Sequence, residues 1–98
     1  MTASSESLAD IHALLAQARE RAPSSPQQAR EGALRALRQA QLRGDAATLC
    51  DARLLAGEAC STLGQYAEAL EHLEGAVAAA SAARDASREA EAHRLVAA

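Results

Sequence analysis

Glu68 and His72 stand four residues apart, and on a helix that spacing puts a carboxylate and an imidazole on one face, an arrangement that can serve a general base. The same pairing is common on exposed helices, and no nucleophile or glycine-rich phosphate loop stands near it. Ser61 and Thr62 read as polar helix positions rather than nucleophiles. Cys50 and Cys60 are ten residues apart, which on one helix separates them by about 15 Å along the axis and about 80° around it. A disulfide needs Cα atoms within about 7 Å, so both read as small, buried, reduced side chains. Zinc ligation has no close cysteine pair to start from, and His12, His72 and His93 fall on three different expected helices without ligand spacing. The expectation is a non-catalytic chain with no cofactor and no metal.

The elements that carry these residues are set by punctuation. Gly57 lies inside a helical run, where it costs about 1 kcal/mol relative to alanine, so a second backbone is expected against it, with Ala69 as the facing residue. Leu63 closes one apolar stripe and Gly64 can take the left-handed conformation that ends a helix. Tyr66 opens the next helix, whose stripe runs through Ala69, Leu70, Leu73, Ala76, Val77 and Ala80 at three- and four-residue steps. Upstream, Ser25 is placed as an N-cap with Pro26 at the first helical position, Gly44 ends a helix, and Asp45 and Asp85 can cap the helices after them. The resulting helices are 5–22, 26–43, 46–63, 66–82 and 86–98. The first carries Leu8, Ile11, Leu15, Ala18 and Ala22 on one face, and the last carries Ala86, Ala90, Ala92, His93, Val96 and Ala97. No segment alternates with period two, so no strand is expected.

Hydrophobic residues make up 49% of the 98, yet Tyr66 is the single aromatic. Small side chains let helices approach closely, but each buries little area at roughly 25 cal/mol per Å². The net charge of −3 argues against a nucleic-acid surface, which needs a basic face. Basic residues concentrate in 17–43 (Arg19, Arg21, Arg30, Arg35, Arg38, Arg43, against Glu20 and Glu31), whereas 44–98 is acidic. The plain reading is a solvated face with local pairs such as Glu31 with Arg35; the alternatives are a face for an acidic partner or head-to-tail association of the two halves. Every basic residue is arginine, which together with the alanine richness suggests a GC-rich, bacterial coding sequence. No basic start is followed by an apolar run, and no stretch approaches the roughly 20 apolar residues that cross a bilayer. A cytoplasmic protein without membrane contact is expected.

The spacing of Gly57, Cys60, Leu63, Gly64, Tyr66, Ala69, Leu73 and Ala76 resembles the tetratricopeptide (TPR) repeat. No proline ends the second helix, which points to the longer bacterial variety of about 40 residues. Shifting the chain by 40 residues supports this: Asp45-Ala46, Asp51-Ala52 and Leu55 recur as Asp85-Ala86, Glu91-Ala92 and Leu95. The resemblance implies an all-α fold, antiparallel helix pairs stacked as a short right-handed solenoid of about five helices. It would form a single domain, with a degenerate pair at 5–43, the best-matching repeat at 46–82 and the first helix of a further repeat at 86–98. A simple four- or five-helix bundle would show the same stripes, but it would not need the 40-residue spacing.

In such repeats the first helices line a concave groove that holds an extended peptide or a helix. Carried onto this chain, the groove comprises Asp51, Leu54, Glu58, Ser61 and Thr62, continued by Glu91 and Arg94 and by Leu14, Ala18 and Arg21, with Leu54 as the expected hot spot. Leu54, Leu55 and Glu58 depart from the basic pattern that clamps a chaperone's terminal carboxylate. The implied function is protein–protein interaction, as the N-terminal part of a larger bacterial regulatory or signalling protein. The final helix, covered on one side only, offers a homodimer contact. A stand-alone adaptor or a small-ligand sensor are the alternatives.

Overall fold

Helices in this chain begin at Pro26, Ala46, Tyr66 and Ala86, each 20 residues after the last. The computed structural model describes residues 7–97 and among them holds five α-helices and no strand: α1 Leu8–Arg21, α2 Pro26–Arg43, α3 Ala46–Thr62, α4 Tyr66–Ala82 and α5 Ala86–Ala97. Residues 5 and 6 of the expected first helix, and Ala98 of the last, lie outside the described residues. Within them α1 starts later than expected, because Ser7 is extended and its hydroxyl accepts from the Asp10 amide at 3.1 Å.

The interval comes from a turn built three times. Gly44, Gly64 and Arg84 take positive φ (72°, 81° and 55°). The amides of the following residues, Asp45, Gln65 and Asp85, donate back to the carbonyls of Ala40, Cys60 and Ala80 at 3.4, 2.8 and 3.0 Å. This is the six-residue closing bond of a Schellman motif, which satisfies a carbonyl that the helix end would orphan. The same residues then start the next helix. Asp45 and Asp85 accept from the amides of Thr48 and Arg88, as Ser25 does from Gln28, while Gln65 makes no side-chain cap. Arg84 fills the left-handed position without glycine's freedom, at a cost of about 1–2 kcal/mol.

Consecutive helices pack on one another, and α3 also touches both α1 and α5, whereas α1 and α4 do not meet. The contacts repeat with the same interval. Ala36, Ala56 and Ala76 are all fully buried, and so are Ala40, Cys60 and Ala80. A larger cluster around Ile11, Leu15, Leu37 and Leu55 joins α1, α2 and α3, and a thinner one of Cys50, Ala76, Ala79, Ala80 and Ala92 joins α3, α4 and α5. At Gly57 an added Cβ would lie 2.6 Å from Leu73 Cδ2 and 3.3 Å from the Ala69 carbonyl oxygen. The expected close approach is there, with the Leu73 side chain pressed into the gap and the Ala69 backbone behind it.

Two expectations are corrected. Tyr66 opens α4 as expected and is 69% exposed, but Leu70, placed on the apolar stripe, is 44% exposed. The buried face of α4 follows Ala69, Leu73, Ala76 and Ala80, which leaves Leu70 one step around the helix on the side that no neighbour covers. On α5 only Ala92 is buried, while Ala86, Ala90, His93, Val96 and Ala97 are exposed. That helix rests on the half-buried row of Arg88, Glu91 and Leu95 around Ala92, a stripe whose polar members hide it from an apolar pattern search.

Two substitutions measure these constraints by urea denaturation. Arg84→Gly relieves the left-handed strain and is expected to stabilise the protein by about 0.5–1 kcal/mol after the entropy glycine adds to the unfolded chain; an unchanged or lower midpoint contradicts the turn analysis. Gly57→Ala forces Leu73 from its place, and overpacking of about 1–3 kcal/mol is set against a helix-propensity gain of about 1 kcal/mol. A net loss of about 1 kcal/mol is expected, and a gain would show that the helices do not approach closely there.

Candidate functional site

Leu54, Leu55 and Leu95 form the apolar floor of a cleft of about 410 Å³ between α3, α5 and the end of α1, rimmed by Arg19, Asp51, Glu58, Ser87, Arg88 and Glu91. Four expected groove residues, Asp51, Leu54, Glu58 and Glu91, therefore come together. Ser61 and Thr62 line an adjoining cleft of about 250 Å³ that shares Glu58 and Leu95. Thr62 spends its hydroxyl on its own helix, donating to the Glu58 carbonyl at 3.1 Å. Arg94 is exposed on α5 and paired with Glu91. Leu95 faces both clefts rather than an outer surface.

The contribution of α1 differs from the expected one. Leu14, Ala18 and Arg21 line a separate cleft of about 360 Å³ against α2. A Cβ added at Gly32 would lie 3.1 Å from that of Ala18, so this face of α1 is turned to α2 and cannot also look across at α3. Arg19, one residue on, reaches the groove instead.

Polar bonds set the walls. Arg88 donates Nε to Asp51 Oδ1 at 2.8 Å and Nη2 to Asp51 Oδ2 at 2.9 Å, a forked pair that ties α5 to α3, while its Nη1 reaches Asp85 at 2.6 Å. Both carboxylates hold the guanidinium charged, and Asp85 is pulled below the usual carboxylate range by the Arg88 amide and side chain. On the other flank His12 Nε2 lies 3.3 Å from Thr48 Oγ1, which donates to Asp45 Oδ2 at 3.0 Å. This chain links α1 to the start of α3 and serves position. Among the described residues Glu58 has no such bond. The groove walls thin the water around it and Glu91 repels it, so its pKa is raised, with Arg19 and Arg94 acting in the opposite direction.

A second cluster adds Cys60 to the Glu68 and His72 pair, which the sequence alone did not join to it. The Cys60 sulfur, a Glu68 oxygen and a His72 nitrogen lie within 4.8 Å of one another. Arg30 of α2 donates to Glu68 at 2.6 Å, and His72 Nε2 lies 3.4 Å from the same oxygen. The Arg30 bond holds the Glu68 carboxyl below its ordinary range, with smaller help from His72, so the pair seen in the sequence is a weak base rather than a strong one. Antiparallel helices match levels by reflection through the turn. Gly57 is level with Leu73, which sets Cys60 level with the stretch between Glu68 and His72; that reflection is the signal that would have found the cluster. Both cysteines are free and buried, and burial pushes the Cys50 thiol up to about 11.

No family model, curated protein or solved structure matches the chain. Among the described residues no helix is long and apolar enough to cross a membrane.

The raised Glu58 pKa has a measurable consequence. The folded state holds the Glu58 proton more tightly than the unfolded chain does, so stability falls as pH rises from the ordinary carboxylate range, about 4.3, through the raised value. Glu58→Gln is expected to be more stable than the parent at pH 7, with the advantage closing as the pH falls below about 4. An advantage that persists unchanged in acid would show that charge is not the cause.

Proposed function

We propose that this chain is a non-catalytic protein-interaction module, a short TPR-like stack of helix pairs that holds a peptide or helix in the groove between α1, α3 and α5. The observation that carries the reading is the convergence of three alternate helices on one cleft with a leucine floor and a charged rim. The 20-residue helix interval and the pairing of α3 with α1 and α5 support a stack over a closed bundle, in which α1 and α4 would be neighbours. A regulatory or signalling context rests on the resemblance of the repeat alone. Two buried, unpaired thiols suit a reducing compartment such as the cytoplasm.

The rim chooses the partner. Asp51 is already matched by Arg88, whereas Glu58 faces Glu91 across the leucine floor with a raised pKa. A cationic side chain beside an apolar anchor meets both needs, relieving the carboxylate repulsion while it covers Leu54 and Leu95. The partner segment is therefore apolar and basic.

Selection from a displayed peptide library tests this. Enriched sequences should combine an arginine or lysine with a large apolar residue, and Leu54→Asp should weaken their binding at least tenfold. Leu70→Asp, on an exposed leucine outside the groove, should leave it unchanged. No enrichment, or binding indifferent to Leu54, would contradict the reading.

A further inference from the structure

We propose that Cys60, Glu68 and His72 form a binding site for one divalent metal ion of the zinc class. The site is separate from the groove and does not depend on its function. Zinc holds sulfur at about 2.3 Å and nitrogen or oxygen at about 2.0–2.2 Å, which places ligand atoms roughly 3.5 Å apart around a single ion. Here a sulfur, a carboxylate oxygen and an imidazole nitrogen already lie within 4.8 Å of one another, so side-chain adjustments on the order of 1 Å close the set. The chemistry of the three donors is that of zinc and cobalt rather than calcium or magnesium, which take oxygen alone.

The internal repeat shows that packing does not call for these side chains. At the positions equivalent to Cys60 the chain has Ala40 and Ala80, both fully buried, with the same carbonyl accepting the same turn bond. At those equivalent to His72 it has Gly32, Ala52 and Ala92. The fold elsewhere takes a hydrogen or a methyl group at each place. Only between α3 and α4 are both replaced by metal-ligating groups, and there the two side chains meet.

The His72 ring is 12% exposed and turns Nε2 toward Glu68 at 3.4 Å, so an imidazole nitrogen is held inside the cluster. Arg30 supplies the outer support: its bond to Glu68 fixes the carboxylate from α2, as such partners orient metal ligands elsewhere. Cys60 would bind as the thiolate, its proton passing to solvent. Glu68 is the most accessible of the three, with a third of its side chain open to solvent, and a water on that side would complete four ligands.

Titration of the full chain with cobalt(II) under a phosphine reductant tests the site. The wild type should develop a thiolate-to-cobalt charge-transfer absorption that saturates at one ion per chain and is bleached by zinc. Cys60→Ala should abolish the band and His72→Ala should weaken binding at least tenfold. Both variants place the residue found at equivalent positions, and circular dichroism checks that they fold. Cys50→Ala, at the other buried thiol, should keep the band. Absence of a thiolate band in the wild type, a band that survives Cys60→Ala, or a stoichiometry of one ion to two chains would each overturn the proposal.

Discussion

Alanine and glycine at the helix contacts set the distance on which the rest of the structure is built. Ala36, Ala56 and Ala76 are fully buried, and Leu73 is pressed against the bare backbone of Gly57, so neighbouring helices approach closely. Each such contact buries little apolar area, so stability is spread over many close approaches rather than vested in a few large side chains. A core made this way tolerates little added volume, and it depends on turns that return each helix at the right height. The repeated closing bond after Ala40, Cys60 and Ala80 provides that return.

Close packing also makes the groove. Because α3 contacts α1 and α5 as well as its sequence neighbours, its outward face looks into a space bounded by three helices. Small residues draw the helices together, and side-chain bonds then fix the flanking pair: Arg88 with Asp51 on one side, His12 with Thr48 on the other. Among the described residues Leu54 and Glu58 make no side-chain bond across the groove and Glu91 pairs only along its own helix with Arg94, and the proposed recognition is built on them. The Cys60, Glu68 and His72 cluster lies between α3 and α4, so the two sites share a helix without sharing a residue.

Helix boundaries were legible because the chain marks them with residues that have one local purpose: Ser25 with Pro26, Gly44 with Asp45, Gly64, and Asp85. The groove positions on α3 and α5 came from the repeat resemblance, whose 40-residue spacing spans two of the 20-residue helix intervals. The buried face of α1, with Ile11, Leu15 and Ala18, was legible, but the side it turns to the groove was not. Four residues separate α1 from α2, where later connections have two or three, and the longer link rotates α1 so that Ala18 meets Gly32 while Arg19 reaches the groove. Leu70 misled for a different reason. A pattern of apolar residues says which face prefers burial, but not whether the chain supplies a neighbour to cover it. The row of Arg88, Glu91 and Leu95 misled in the opposite sense, since burial there is achieved through paired charges. The meeting of Cys60 with Glu68 and His72 needed the reflection of α4 onto α3, which spacing along one helix cannot show.

The groove exists only in the helix order that flanks α3 with α1 and α5 and keeps α1 apart from α4. Methyl-labelled nuclear Overhauser spectroscopy measures it directly. This order predicts cross-peaks from α3 methyls to Ile11 or Leu15 on one side and to α5 on the other, together with a strong contact between the Leu73 methyls and the Gly57 Hα. Cross-peaks joining α1 to α4, with none between α3 and α5, would describe a closed bundle without this groove and would overturn it.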